Sequence, residues 1–143
     1  MFTHLLPESE KLFAVEFSDY AEKHFLKEFR KNYKGVQWKM TEDAIMDDLM
    51  HLSHGGYDLQ KTQQVDELWY DGNIWVFKYD FRVAKTKVSA KTAGNRVVGV
   101  LDIDANRIEI VMIYSKTDLP KNMSETQFIK GVLNENCPGV RWK

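Results

Sequence analysis

Apolar residues recur at different intervals along the chain, and each change of interval predicts a new element of secondary structure. They alternate at Phe13, Val15 and Phe17, which predicts a short strand near the start of the chain. They then recur at every fourth position, the interval of one helical face, at Ala21, Phe25, Phe29 and Tyr33. A second helical face follows, made of Ile45, Leu49 and Leu52. The first part of the chain is therefore predicted to form one strand and two helices.

Capping residues and glycines predict where these two helices begin and end. Ser18 and Asp19 have side chains suited to cap the first helix, and Gly35 is expected to end it. Thr41 is expected to cap the second helix, because the next two residues are acidic, as helix N-termini favour. The glycines at 55–56 are expected to end this second helix.

From residue 65 onward, apolar residues occupy alternate positions, which predicts strands. The Asp71-Gly72 pair lies between two such segments and predicts a hairpin turn. One face of the second hairpin strand is apolar and consists of Trp75, Phe77, Tyr79, Phe81 and Val83. The opposite face carries Lys78, Asp80 and Arg82. We expect the first face to pack in the core and the second to form a charged surface.

A second pair of strands and a final helix complete the predicted fold. The strands are expected at 95–103 and 107–114, with a tight turn at 104–106 between them. Ser124 and Gln127 have the spacing of a capping box ahead of a C-terminal helix. The predicted fold class is α+β: an N-terminal strand, two helices, then a curved antiparallel sheet of about four more strands and a C-terminal helix.

Length and composition fit one globular domain covering residues 1–143, because no repeat or flexible linker divides the chain. No apolar run approaches the roughly 20 residues that cross a bilayer, and the N-terminus lacks the features of a secretion signal. Cys137 is the lone cysteine, which fits a reducing compartment. His51 and His54 are three residues apart but have no evident third ligand, so a structural role is favoured over metal binding. We therefore expect a cytoplasmic protein with no membrane association, no metal and no small-molecule cofactor.

Positive charge is concentrated in one part of a nearly neutral chain, whose formal net charge is -1. The segment from Lys78 to Arg96 holds six basic residues and a single acidic one, Asp80. Such asymmetry is typical of a surface that binds anions. The alternative is a lysine-rich loop in water, which the charge pattern favours equally.

The order of elements and several short segments resemble the RelE/ParE superfamily of bacterial toxins, over nearly the whole chain. The matching segments are FAVEFS at 13–18, AEK at 21–23, KYDFR at 78–82, GNRVV at 94–98 and IEIVMIYSK at 108–116. The first two resemble the family's first strand and helix. The third resembles its strand with basic residues, and the last two resemble its glycine-arginine signature and its last core strand. The resemblance implies a single RelE/ParE-like domain.

The resemblance also implies a function, that of a toxin in a toxin-antitoxin system, held inactive by a cognate antitoxin protein. Members that act as toxins cleave mRNA on the ribosome. This endoribonuclease reaction requires removal of a proton from a 2'-hydroxyl, stabilisation of the phosphorane and protonation of the leaving 5'-oxygen. The candidate catalytic residues are Arg96, Lys116, Tyr114 and Arg82. The candidate RNA-binding residues are Lys78, Lys85, Lys87 and Lys91.

Arginines can bind phosphate oxygens in a planar fork, and a lysine crowded by other cations can act as a base because its pKa is lowered. We therefore expect Lys78, Arg82 and Arg96 to converge on one solvent-facing concavity. Structural roles compete with these assignments: Arg96 paired with Asp102 or Glu109 on the sheet, and Tyr114 half-buried in the core. The alternative function is a non-catalytic RelE-fold module that binds protein or nucleic acid.

Overall fold

The computed structural model describes residues 12–33, 35–52, 64–87 and 93–143, and these form one five-stranded sheet with helices on both faces. The strands are β1 (Ala14–Phe17), β2 (Val65–Asp71), β3 (Ile74–Phe81), β4 (Asn95–Asp102) and β5 (Arg107–Ser115). The helices are α1 (Asp19–Ala21 and Lys27–Arg30, joined by a π turn at Glu22–Leu26), α2 (Gly35–Met50) and α3 (Glu125–Asn136). A short 3-10 turn, Lys116–Asp118, follows β5. The element order confirms the predicted α+β fold.

The strands lie in the order β1-β5-β4-β3-β2, and their pairing is mostly antiparallel. β2 to β5 form a meander of antiparallel neighbours, in which the two predicted hairpins, β2-β3 and β4-β5, are joined by the pairing of β3 with β4. β1 instead pairs in parallel with β5, from Ala14 opposite Arg107 to Phe17 opposite Ile110. Parallel pairing requires a long connection, and here almost the entire fold lies between the two strands.

Most of the turns and caps that were predicted from neighbouring residues are present in the structure. Gly72 and Asn106 adopt left-handed backbone angles (φ +59° and +55°) in the two hairpin turns, a conformation that glycine and asparagine tolerate. Ser18 caps α1 by accepting a hydrogen bond from the Ala21 amide. Ser124 forms the predicted capping box of α3 with its partner three residues later.

The start of α2 differs from the prediction. The helix begins at Gly35 rather than at Thr41, and it continues to Met50. Thr41 is almost fully buried within the helix, where its hydroxyl donates to the Gln37 carbonyl and accepts from the Ala84 amide, both at 2.8 Å. The hydroxyl therefore fastens α2 to the chain after β3 instead of capping the helix. The predicted stop at 55–56 lies outside the described residues.

Replacing Thr41 with valine should lower the free energy of unfolding by about 1–3 kcal/mol, because the Ala84 amide would lose its acceptor in a part-buried position. Chemical denaturation would measure the change. Thr126→Val, at an exposed position of α3, is the matched control and should have an effect of less than about 0.5 kcal/mol. Equal effects of the two substitutions would contradict the anchoring role.

Both faces of the sheet are covered. On one face, α1 and α2 pack on the predicted apolar side of β3, with Ile45, Leu49 and Phe77 fully buried. On the other face, α3 contributes Ile129 and Leu133 to a second buried cluster. Lys78 and Asp80 therefore lie beneath α3 instead of on the open charged surface that the alternation predicted, whereas Arg82, which follows β3, is exposed.

Candidate functional site

Three neighbouring strands bring candidate residues together on the sheet face that α3 covers. In the register of β3, β4 and β5, Asp80 lies opposite Arg96, and Arg96 lies opposite Tyr114. Lys78 is two residues before Asp80 on β3, so both point to the same face. Strand pairing alone thus places Lys78, Arg96 and Tyr114 side by side.

The carboxylate of Glu125, the first residue of α3, is the centre of this group. Arg96 Nη1 donates to Glu125 Oε2 at 2.6 Å, and the Tyr114 hydroxyl donates to the same oxygen at 2.8 Å. Lys78 Nζ lies 3.4 Å from Glu125 Oε1. Arg96 Nε also pairs with Asp80 Oδ1 at 3.1 Å. We call these five side chains the Glu125 cluster.

The Glu125 cluster is largely shielded from solvent and electrically balanced. The exposed fractions of the side chains are 12% for Arg96, 9% for Asp80, 17% for Lys78 and 20% for Glu125. Two cations face two carboxylates, so the cluster has no net charge. A polyanion would find little free positive charge here.

The protonation of the cluster follows from the same contacts. Burial opposes ionisation of Glu125, but the Tyr114 hydrogen bond and the charges of Lys78 and Arg96 outweigh it, and its pKa is lowered. Burial, and then the hydrogen bond to Glu125, raise the pKa of Tyr114. Burial also raises the pKa of Asp80, and the nearby Arg96 offsets only part of that rise. At neutral pH Glu125 is therefore ionised and Tyr114 keeps its proton.

Arg96 is thus paired with acidic residues, but with partners other than Asp102 and Glu109, which the sequence suggested. Tyr114 is almost fully buried, more deeply than the half-buried core position that was the structural alternative to its catalytic role. The expected convergence of Lys78, Arg82 and Arg96 on one solvent-facing concavity is wrong: Lys78 and Arg96 meet at the internal carboxylate of Glu125, and Arg82 is exposed beyond the end of β3. Glu125 was not among the residues predicted from the sequence, because its only visible signal was its place beside the Ser124 cap.

The exposed candidate cations lie elsewhere, at one end of the sheet. Arg82 follows β3 directly and Lys116 follows β5 directly. Phe81 pairs with Asn95, and Asn95 pairs with Ser115, so these strand ends are adjacent. Both cations are exposed. They are therefore presented together at the same end of the three central strands.

The turn around Gly94 holds Lys116 close to the start of β4. The Lys116 amide donates to the Gly94 carbonyl at 2.8 Å. Gly94 has a left-handed φ of +74°, and a Cβ there would lie 3.4 Å from the Cβ of Lys116. The left-handed backbone angle therefore favours glycine at this position.

Two more exposed lysines, Lys85 and Lys87, belong to the loop that leaves β3. The loop is anchored at Ala84, whose carbonyl accepts from the Gln37 side chain at 2.9 Å and whose amide is held by Thr41. We define the basic end as the exposed residues Arg82, Lys85, Lys87 and Lys116. Lys91 lies outside the described residues.

Neither a metal site nor a membrane-spanning helix is found in the part of the chain that the structure describes. The ring of His51 is hydrogen-bonded to the Asp47 carbonyl on its own helix at 2.8 Å, and His54 lies outside that part. No three His, Cys, Asp or Glu side chains among the described residues are placed to share a metal ion. In the same ranges, no helix has both the length and the apolar character needed to cross a bilayer.

Fold and site together define an α+β protein with a mixed five-stranded sheet, an internal charge cluster and an exposed basic end. No family model and no curated protein matches the chain. Among solved structures, it is similar to one chain of the archaeal RelE-RelB complex from Pyrococcus horikoshii OT3. The sequence identity is 11%, the alignment covers 76% of this chain and 99% of that chain, and the TM-score is 0.48. This identity is too low to transfer the role of any side chain.

Proposed function

We propose that this protein is a RelE/ParE-type module that binds single-stranded RNA at the basic end. The observation that carries the proposal is the placement of Arg82 and Lys116 at the same end of the sheet, after β3 and β5, which flank β4, with Lys85 and Lys87 on the loop that leaves β3. Lysine and arginine side chains that track a phosphate backbone are the usual basis of RNA binding without sequence preference. The sequence resemblance makes RNA the expected polyanion.

The exposed cations support this role better than the Glu125 cluster does. Arg82 and Lys116 need only shed water to meet a phosphate, whereas Arg96 and Lys78 would first have to leave Glu125. Separating a shielded ion pair leaves an uncompensated charge, which is costly. Binding is therefore assigned to the basic end.

The test is the affinity for a single-stranded RNA of mixed sequence, measured by fluorescence anisotropy at several salt concentrations. The Arg82→Ala and Lys116→Ala double variant should bind at least about tenfold more weakly at low salt. Its slope of log affinity against log salt should fall by about 0.7 for each phosphate that the variant no longer neutralises.

A matched control removes two exposed cations from the opposite end of the sheet. Arg141 and Lys143 are exposed and follow Gly139, whose Cβ position is 3.9 Å from Ile74 at the start of β3. The Arg141→Ala and Lys143→Ala double variant should keep the affinity of the wild type. Equal weakening by both double variants would show that net charge, not the basic end, determines binding.

A second candidate function is cleavage of mRNA on the ribosome by a toxin, and the Glu125 cluster is the observation that favours it. A carboxylate, a guanidinium and a protonated phenol lie within hydrogen-bonding distance of one another. Glu125 would accept the proton of the 2'-hydroxyl as that oxygen attacks the phosphorus. Arg96 would stabilise the phosphorane, and Tyr114 would protonate the 5'-oxygen as its bond to phosphorus breaks. This reaction requires Arg96 to exchange Glu125 for the phosphate.

Growth of bacteria after induced expression distinguishes the two candidates. A toxin would arrest growth, Arg96→Ala with Lys116→Ala would abolish the arrest, and co-expression of a cognate antitoxin protein would relieve it. A binding module would not arrest growth. Arrest that survives both substitutions would remove Arg96 and Lys116 from the catalytic assignment.

A further inference from the structure

A cleft of about 420 Å³ lies between α1 and the end of β5, beside the basic end. Its walls include Phe25 from the π turn of α1, Tyr114 from β5 and Phe128 from α3. Asp118 and Glu28 are also among its lining residues. The volume falls within the range of roughly 300–1,000 Å³ that is usual for small-ligand pockets. We call this the α1-β5 cleft.

The aromatic rings of the cleft form a connected group. Phe25 and Phe128 are 6.3 Å apart between ring centroids, and Tyr114 and Phe128 are 6.5 Å apart, both in edge-to-face geometry. Phe25 and Phe128 are only partly buried, although buried rings surround them. The cleft thus presents aromatic surface that a flat ring can cover by stacking.

The cleft exists because β1 covers only the first part of β5, and α1 takes its place beside the rest of the strand. β1 pairs with β5 only as far as Ile110, whereas β4 continues beside β5 to Ser115. Beyond Phe17 the chain turns into α1, and the π turn at Glu22–Leu26 widens the helix here. π turns interrupt helices frequently at functional sites.

The wall carries the carboxylates of Asp118 and Glu28 and the ammonium group of Lys31, and its carboxylates favour a ligand that donates hydrogen bonds. Asp118 is exposed in the 3-10 turn, and its charge, after burial, contributes to the raised pKa of Tyr33 nearby. Glu28 is also exposed and pairs with Lys31 at 3.0 Å. Carboxylates only accept hydrogen bonds when ionised. An exocyclic amino group supplies two N–H donors to such a carboxylate, whereas uracil supplies only its ring N3–H, so an amino-bearing ring suits this wall better.

We infer that the α1-β5 cleft binds one unstacked nucleobase of a bound RNA and prefers the amino-bearing bases adenine, cytosine and guanine over uracil. This inference rests on the proposed RNA binding. Lys116 and Asp118 belong to the same 3-10 turn, so a strand held by the basic end passes the mouth of the cleft. Aromatic stacking holds the base, and the carboxylate of Asp118 accepts from its amino group.

Neutral nucleosides test the cleft without the basic end, because they carry no phosphate. Binding of adenosine, cytidine and uridine would be followed by chemical-shift changes of the cleft residues. Adenosine and cytidine should bind about fivefold or more tightly than uridine. Asp118→Asn should remove this preference, whereas Asp104→Asn, in the exposed turn at the other end of the sheet, should leave it intact.

The aromatic wall is tested with Phe128→Leu, which keeps an apolar side chain but removes the ring. All three nucleosides should bind more weakly, and an unchanged melting temperature would show that the fold is intact. In RNA, a tract of abasic ribose should bind wild-type protein at least about fivefold more weakly than a cytidine tract, the minimum expected when one stacked base is absent.

The outcomes separate the cleft from the proposed function. If nucleosides do not bind, while RNA binding still depends on Arg82 and Lys116, the cleft inference is overturned and the RNA-binding proposal stands. If nucleosides bind with the stated preference, while the affinity for RNA does not depend on Arg82 and Lys116, the proposal of RNA binding at the basic end is refuted and the cleft inference stands. Binding of uridine equal to that of cytidine would overturn the assigned role of Asp118.

Discussion

Glu125→Ala is expected to lower the free energy of unfolding by about 2–4 kcal/mol. The substitution leaves Arg96 with Asp80 alone, and it removes the acceptor of Tyr114 and the partner of Lys78. The estimate lies toward the lower part of the range for fully buried pairs because 20% of the Glu125 side chain is exposed. Denaturation in urea at pH 7 measures the change.

The matched control is Glu135→Ala, at an exposed position near the other end of α3. It should change the unfolding free energy by less than about 0.5 kcal/mol. A comparable loss for both variants would mean that α3 is sensitive to any change of charge. A negligible loss for Glu125→Ala would show that the cluster does not hold α3 to the sheet.

A low pH should remove part of the free energy of unfolding that Glu125 contributes. Its pKa is lower in the folded protein than its usual value of 4.5, so this stability is complete above that value and is lost as the pH falls through the folded pKa. Asp80, whose pKa is raised by burial, acts in the opposite direction. Glu125→Gln keeps Asp80, so the difference between wild type and Glu125→Gln should shrink as the pH falls below about 4.

Gly99→Ala should destabilise the sheet by about 2–3 kcal/mol, although it adds a single methyl group. Gly99 lies directly opposite Phe77, and a Cβ at this position would be 2.5 Å from Phe77 Cζ and 2.8 Å from Cε1. Phe77 is fully buried, so its ring has no open space into which to move. Thermal or chemical denaturation would detect the loss.

Gly131→Ala is the matched control because the same methyl group meets nothing within 4 Å at an exposed position inside α3. It should raise the unfolding free energy by about 0.5–1 kcal/mol, since alanine loses less backbone freedom than glycine in a helix. The two glycine substitutions should therefore have opposite signs. A stabilising Gly99→Ala would show that the Phe77 ring yields easily.

Features set by neighbouring residues were predictable from the sequence. The turn at Gly72, the turn at Asn106 and the capping box at Ser124 depend on side chains only a few positions apart, and all three formed as expected. The apolar face of β3 was also predicted correctly, because alternation records which side of a strand is buried.

Features that depend on distant parts of the chain were not predictable in the same way. Gly35 was predicted to end a helix, but a helix begins there. Thr41 was predicted to cap a helix, but its hydroxyl accepts a hydrogen bond from Ala84, 43 residues away in the sequence. The charged face of β3 was expected to be open because nothing in β3 itself indicates that α3 will cover it.

The candidate site also contains features that depend on neighbouring residues and features that depend on distant parts of the chain. The placement of Arg82 and Lys116 at one end of the sheet depends on the pairing of β3 with β4, which joins the two predicted hairpins. The capture of Arg96 by Glu125 depends on how α3 crosses the sheet, since the two residues are 29 positions apart. Composition can show that basic residues are concentrated, but only tertiary packing decides which of them remain available.

The parallel pairing of β1 with β5 also imposes an order on assembly during synthesis. Ala14–Phe17 leaves the ribosome before its partner residues, from Arg107 to Ile110, have been made. Until then the first strand and the apolar faces of α1 and α2 have no completed sheet to cover. Closing such a long loop costs entropy and slows folding. The segment from β1 to α2 is therefore prone to aggregation in the nascent protein until β5 has been made.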